Sequence, residues 1–212
     1  MLEQKFEKSR FVRVDSDAAD RLIPKAEATQ SSLTQAESDN LSETFKAGFP
    51  KLSDAEFTVE VASMGEKAAP VLITQSEYMR RMKDVARLQP GMGFYGQMPD
   101  MYSVILNADH RLIKTVLDDM TAAVSERLQS VDNEMNGLNA RRAALEQQQK
   151  DKKPDEITQE QRDELTKCNA DIERQRSIRH EILGEYAKSD SVIAQLIDLA
   201  LLQNGLLKGE AL

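Results

Sequence analysis

The stretch MGFYGQMPDMYSVILNADHRLI, residues 92–113, contains the transition that decides the fold. It begins as a loop rich in methionine, glycine and aromatic residues, and residues 102–106 then form a short apolar run typical of a strand. Asn107 or Asp109 follows at once and is expected to cap a helix. The chain thus passes from a buried strand directly into a helix, as in domains that pack helices against a small sheet.

Two further strands are predicted before this stretch. Residues 57–61 alternate apolar and polar side chains, and residues 71–73 form a second apolar run after a glycine turn, which predicts a β-hairpin. Thr74 and Glu77 have the spacing of a capping box, which starts a helix over 75–88. The predicted fold class is therefore α+β, with a small mixed sheet (the hairpin plus the later strand) and packed helices.

The second half of the chain has the pattern of a long helical hairpin. From Leu117 onwards apolar residues recur at spacings of three and four over about four heptads, and Pro154 interrupts the pattern. Thr158 and Gln161 form a capping box that starts a return helix. Two heptad helices separated by a breaker predict an antiparallel helical hairpin over 117–188.

Two positions of the hairpin seam involve an arginine. Arg142 takes a core slot and is expected to fix the register or to pair with a carboxylate of the return helix. On the return helix, either Ile178 or Arg179 is expected to face inward.

The last predicted helix covers residues 190–203, with Ser189 as its cap and Gly205 as its left-handed end. Its apolar residues go around the whole circumference. Such a helix must be buried on all sides, which in a modest domain usually requires a partner chain on one face.

Composition excludes several classes of function. The chain has 212 residues, 40% of them hydrophobic and 30% charged, which is typical of a soluble globular protein. A net charge of −8 makes binding to nucleic acid or to an anionic membrane improbable. Cys168 is the only cysteine and the N-terminus does not resemble a signal peptide, so we expect a cytoplasmic protein.

The sequence carries no positive sign of enzyme chemistry. Residues 91–96 match G-x-G-x-x-G by letter, but a predicted helix precedes them and Pro99 follows, so a dinucleotide site is rejected. His110, His180 and Cys168 lack the spacing of a zinc site. We therefore expect no catalytic residue, no metal and no cofactor in this chain.

The order of these elements resembles the C-terminal domain of the heat-shock protein 90 family of chaperones. EYMRRMK at 77–83 is similar to the family's amphipathic helix, and MGFY at 92–95 is similar to its mobile loop. ILNADH at 105–110 resembles the family's Ile/Leu-Asn-Pro-x-His segment, with Ala108 in place of proline. The hairpin over 117–188 departs from the family pattern and looks like an insertion.

The resemblance implies a domain organisation. Residues 1–30 would be the end of the family's middle domain, followed by a linker within the polar residues 24–38. Residues 40–212 would form the C-terminal dimerisation domain, starting with a short helix over 41–49.

The resemblance also implies two sets of site residues. Client proteins would contact Tyr78, Met79, Met82, Val85, Phe94 and Tyr95. Pattern alone instead favours an ordinary core-facing stripe for the helical members of this set. The dimer interface would include Val192, Ile193, Leu196, Ile197, Leu199 and Leu202.

The implied function is to dimerise and to contact non-native clients within a chaperone that assists protein folding. ATP and magnesium would bind the full-length parent through an N-terminal domain absent from this chain. The family's domain has a further C-terminal helix, so we expect a weakened or altered dimer here. The alternatives are a coiled-coil adaptor, which would need the hairpin to dock a partner, and an enzyme with unrecognised motifs.

Overall fold

The structure is a computed structural model, which describes residues 33–52, 55–75, 85, 99–150 and 158–207. Several predictions fall outside the described residues: the segment 1–30, residues 76–88 of the predicted helix apart from Val85, and the loop over 92–95. The predicted start of that helix is wrong, because Thr74 and Gln75 belong to a strand over Val71–Gln75 and the Thr74 hydroxyl donates to the Ser103 carbonyl oxygen at 3.5 Å. The remaining predictions can be compared with the structure element by element.

Three strands form one mixed sheet. They are β1 (Ala55–Ala62), β2 (Val71–Gln75) and β3 (Asp100–Asn107), in the order β1-β3-β2. Strand β3 pairs parallel with β1 and antiparallel with β2. The predicted hairpin is therefore wrong, although the small mixed sheet of the α+β fold is confirmed. The physical reason is that β3 contains consecutive buried apolar residues, which favour the central position where both faces are covered.

One face of the sheet packs against helices. The register places Val59, Val104 and Ile73 in one row across the three strands, and all three belong to the main hydrophobic core or pack against it. Helix α1 (Gln35–Gly48) contacts β1 at one edge of the sheet, and the last helix contacts β2 at the other.

Helix α1 begins earlier than the sequence indicated. Thr34 is its N-cap, and Thr34 and Glu37 form a reciprocal capping box in which the Thr34 backbone N–H donates to Glu37 Oε2 at 2.7 Å. The predicted linker over 24–38 is wrong in its last residues. Polar composition there reflects the cap and an exposed first turn, because capping residues are themselves polar.

The buried side chain of Asn107 organises the junction after β3. Its Oδ1 accepts hydrogen bonds from the backbone N–H groups of Met64 (3.2 Å) and Asp109 (3.1 Å). Its Nδ2 donates to the carbonyl oxygens of Gly65 (2.9 Å) and Ala68 (3.4 Å). A single fully buried amide thus ties the loop between β1 and β2 to the end of the central strand.

The Asp109 carboxylate also binds the loop between β1 and β2. It accepts hydrogen bonds from Ser63 Oγ and from the Gly65 N–H, the latter at 2.7 Å. The Ser63 hydrogen bond, supported by Gly65, keeps the pKa of Asp109 below its ordinary value. Gly65 has φ +82°, a conformation that other residues rarely adopt, so the loop depends on glycine at this position.

Helix α2 (Arg111–Gln149) follows, and its cap differs from the prediction. His110 is the N-cap, with its Nδ1 accepting from the Leu112 N–H at 3.2 Å. Asn107 and Asp109 are not the cap because their side chains are committed to the loop.

Helix α2 and helix α3 (Gln159–Ser189) form the predicted antiparallel hairpin, and the Thr158–Gln161 capping box is confirmed. Arg142 lies 3.7 Å from Glu146 of its own helix, whereas Arg141 pairs with Glu164 across the hairpin at 2.6 Å. The predicted cross-helix ion pair of Arg142 is therefore wrong. Arg141 makes the pair instead, because its exposed side chain lies beside the seam and can contact Glu164 of the return helix.

Helix α4 (Ser191–Gln203) begins at a different cap from the one predicted. Asp190, not Ser189, is its N-cap, and its Oδ1 accepts from Val192 N–H at 2.7 Å. The left-handed end is confirmed: Gly205 has φ +65°, and the Leu206 N–H bonds back to the Leu201 carbonyl at 2.9 Å.

We predict that Asn107→Ala lowers the free energy of unfolding by about 2–4 kcal/mol, because it leaves buried backbone groups of the loop without partners. Urea denaturation followed by circular dichroism measures this. Asn136→Ala, at an exposed position of α2, is the matched control and should change stability by less than about 0.5 kcal/mol. Equal effects of the two substitutions would contradict the role assigned to Asn107.

Candidate functional site

Helix α4 has two apolar faces with different surroundings. Ile193, Leu196 and Ile197 are buried within the chain's own core, at 6% exposure or less. Leu199 and Leu202 are exposed at 49% and 56%. Six residues were predicted for a dimer interface. Ile193, Leu196 and Ile197 are already covered by the chain itself, and Val192 is half-buried.

A glycine sets how closely α4 approaches helix α1. A Cβ atom added at Gly48 would lie 2.9 Å from Ile197 Cδ1 and 3.4 Å from Ile193 Cγ2. This close contact holds the inner face of α4 against the end of α1. The outer face, with Leu199 and Leu202, consequently has a fixed orientation on the surface of the domain.

A shallow apolar groove runs beside this outer face, between the end of α1 and α4. Most of its lining is aliphatic, and Asp198 is the only charged residue of α4. The residues that line it include Pro50, Leu52, Ala194, Leu201, Leu206 and Leu207. The groove and the exposed leucines together make a weakly charged surface, which we call the α4 surface.

Only one of the predicted client-contact residues is among the described residues. Val85 is 41% exposed, which is high for a large apolar side chain. Tyr78, Met79, Met82, Phe94 and Tyr95 lie outside the described residues. In the described part of the chain, Met101 on β3 and Leu112 on α2 are the other exposed large apolar residues apart from those of α4.

A polar cluster joins three helices at the root of the hairpin. Arg179 of α3, only 17% exposed, contacts Glu43 and Asn40 of α1, and its Nε lies 3.4 Å from Asp132 Oδ1 of α2. His180 Nδ1 is 3.4 Å from Glu43 Oε1. The sequence offered Arg179 only as an alternative inward residue, and its partners on α1 were missed because they lie 136 and 139 residues away in the chain.

The described residues contain no group of His, Cys, Asp and Glu that could hold a metal ion. The Cys168 thiol is buried and lies 3.3 Å from the Leu138 carbonyl oxygen. Burial and a hydrogen bond to Asp190, donated by the Tyr186 hydroxyl at 2.8 Å, raise the pKa of Tyr186. No helix in the described part of the chain is long and apolar enough to cross a membrane.

We predict that Arg179→Met lowers the free energy of unfolding by about 2–4 kcal/mol, because Glu43 and Asp132 lose a shared and mostly buried partner. Arg176→Met is the control, since Arg176 makes an exposed pair with Glu173 of its own helix that should be worth about 0.5 kcal/mol or less. Chemical denaturation of both variants measures the difference. A loss for Arg179→Met no larger than for the control would contradict the role of the cluster.

The chain is similar to curated bacterial proteins that share one name. The chain matches over all 212 residues the chaperone protein HtpG of Bacteroides thetaiotaomicron at 48% identity, of Bacteroides fragilis strain 638R at 46% and of Porphyromonas gingivalis strain W83 at 42%. It spans about a third of the length of each relative (31%). No family model matches the chain, and no solved structure matches it.

Identity above 40% along the whole chain to proteins named HtpG confirms the resemblance to the heat-shock protein 90 family. The chain is therefore homologous to a C-terminal region of HtpG, a chaperone of that family.

Proposed function

We propose that this chain joins two protomers of an ATP-dependent chaperone and contributes apolar surface to non-native client proteins. The observation that carries the proposal is the two-faced helix α4, whose inner face is in the core while Leu199 and Leu202 remain exposed. The names of the homologues support the chaperone assignment. In this proposal ATP and magnesium bind the full-length protein outside this chain.

Dimerisation is supported by the chemistry of the α4 surface. A twofold interface brings the same patch of both copies together, so Leu199 and Leu202 would be buried twice. Burying one leucine completely is worth about 1.5–3 kcal/mol. Asp198 is the only charged residue of α4, so little charge has to be desolvated when two copies meet.

Client contact is supported by exposed apolar side chains. Val85 offers 41% of its surface to solvent, and the residues before it in the chain include Tyr78, Met79 and Met82. Methionine is flexible and polarisable, which suits a surface that must accept many shapes. Such a surface would bind partly unfolded chains through hydrophobic burial with little sequence selectivity.

The proposed mechanism is geometric. Holding two protomers at one end raises the effective concentration of their other parts for each other, without any bond chemistry in this region. The rigid attachment of α4 through Gly48 would transmit the dimer geometry to the sheet and its helices.

We predict that the double substitution Leu199→Glu and Leu202→Glu raises the dimer dissociation constant at least about 100-fold, because four leucines lose burial and charges of the same sign meet. Sedimentation equilibrium over a range of concentrations measures the constant. The fold should survive, since both positions are exposed.

The matched control is Ser125→Glu with Gln129→Glu, which adds the same charge at two exposed positions of α2. It should leave the dissociation constant within about threefold, since exposed charges away from an interface contribute little. A chain that sediments as a monomer at every concentration, or equal effects of the two double variants, would contradict the proposed interface.

We predict that Tyr78→Ser, Met82→Ser and Val85→Ser together reduce suppression of client aggregation by the full-length protein. The reason is that serine removes apolar surface without adding charge. Light scattering of a thermally unfolding model client measures suppression, and circular dichroism checks that the chaperone stays folded. Unchanged suppression by a folded variant would assign these residues to the core and contradict client contact there.

A further inference from the structure

We infer that the distal half of the helical hairpin is an arm that opens and closes while the rest of the domain stays folded. The arm consists of residues 138–149 of α2 and 159–172 of α3. This inference does not depend on the proposed function, because it follows from how the hairpin is packed.

The hairpin contains two separate apolar clusters. The large one continues from the body of the domain along the hairpin as far as Val131, Met135 and Ile178. The small one is distal and has only residues of α2 and α3, namely Leu138, Leu145, Leu165, Cys168 and Ile172. Among the described residues no third element contributes to the distal cluster, so within this part of the chain the arm is stabilised by its own two helices.

The junction between the clusters contains a glycine. Gly137 lies there within α2 at an exposed position, and a Cβ atom on it would meet nothing within 4 Å. Glycine in a helix interior weakens the helix, and here no close packing requires it. A cleft at the same level is lined by Gly137, Leu138 and five polar or charged residues, namely Glu134, Arg141, Asp171, Arg174 and Gln175. The Gln175 amide donates one hydrogen bond to Glu134 across the two helices there.

The distal contacts beyond the junction are weaker than those at the root. The Arg141–Glu164 pair is exposed at 61% and 44%, where an ion pair contributes little. Arg142 Nε is buried without a hydrogen-bond partner, 3.7 Å from Glu146. The root is instead held by the three-helix cluster around Arg179 and by the main core.

Regions with few buried apolar contacts open at a smaller free-energy cost than the whole domain. Opening of the arm would unwind α2 near Gly137 and separate the distal seam. It would expose Leu145 and Ile172, and also the thiol of Cys168, which is 3% exposed when the arm is closed. Because Cys168 is the only cysteine of the chain, the reactivity of its thiol measures opening of the arm.

The test is the rate at which Cys168 reacts with a thiol reagent such as dithionitrobenzoate in the intact chain under native conditions. The matched control is Cys168→Ser combined with Ala200→Cys, which places a thiol in the main core at a position 2% exposed. Both rates are divided by the rate of the same thiol in unfolded chain. We expect Cys168 to react at least tenfold faster than the control thiol, and equal normalised rates would overturn the inference.

A second variant tests the position of the hinge. Gly137→Ala is expected to slow the reaction of Cys168 about three- to fivefold, because alanine stabilises the helical, closed arm. Ser125→Ala, in the proximal half of α2, should leave the rate unchanged. A rate for Gly137→Ala equal to or above that of the unmodified chain would overturn a hinge at Gly137.

Discussion

The fold depends on the buried amide of Asn107 at the end of the central strand. Its four hydrogen bonds engage the loop between β1 and β2 and the first residue positions beyond β3. Leaving a buried amide without hydrogen bonds costs free energy, so the loop is most stable in the path that satisfies all four bonds of Asn107. This path carries the chain across the end of β3. That path leaves room for β3 between the two earlier strands and directs α2 away from the sheet.

Everything outside the sheet is arranged around this junction. Helices α1 and α4 cover the two edges of one sheet face, and the root of the hairpin is attached to α1 through Arg179. Close contact at Gly48 then fixes α4 with its inner face in the core. The domain therefore presents Leu199 and Leu202 on a rigid support, as an interface between two protomers requires.

The sequence predicted best those features that depend on local patterns. Heptad spacing identified the hairpin, and the Thr158–Gln161 box and the Gly205 end were found because capping chemistry is local. Strand order was wrong, since two consecutive apolar strands look like a hairpin whether or not a third strand separates them. The caps at Asn107 and Ser189 were wrong because several adjacent polar residues compete for one role, and tertiary hydrogen bonds decide between them. Arg179 could not be assigned partners, because they come from a helix far away in the chain.

The residues predicted for the dimer interface show the same limit of sequence-based prediction. An apolar helix can be recognised from sequence as one that must be buried, but the sequence does not say which side its own domain covers. The structure assigns Ile193, Leu196 and Ile197 to the core and leaves Leu199 and Leu202 exposed. Client contact by Tyr78, Met79 and Met82 stays a prediction from resemblance.

The central claim, that the outer face of α4 meets a second copy of itself, is tested most directly by electron–electron double resonance. A nitroxide label is attached at Gln203→Cys, at the exposed end of α4, in a Cys168→Ser background. We predict one narrow intermolecular distance for this label and a longer or broader one for a label at Gln148→Cys on the hairpin. No dipolar modulation at Gln203, at concentrations where the protein sediments as a dimer, would contradict the account.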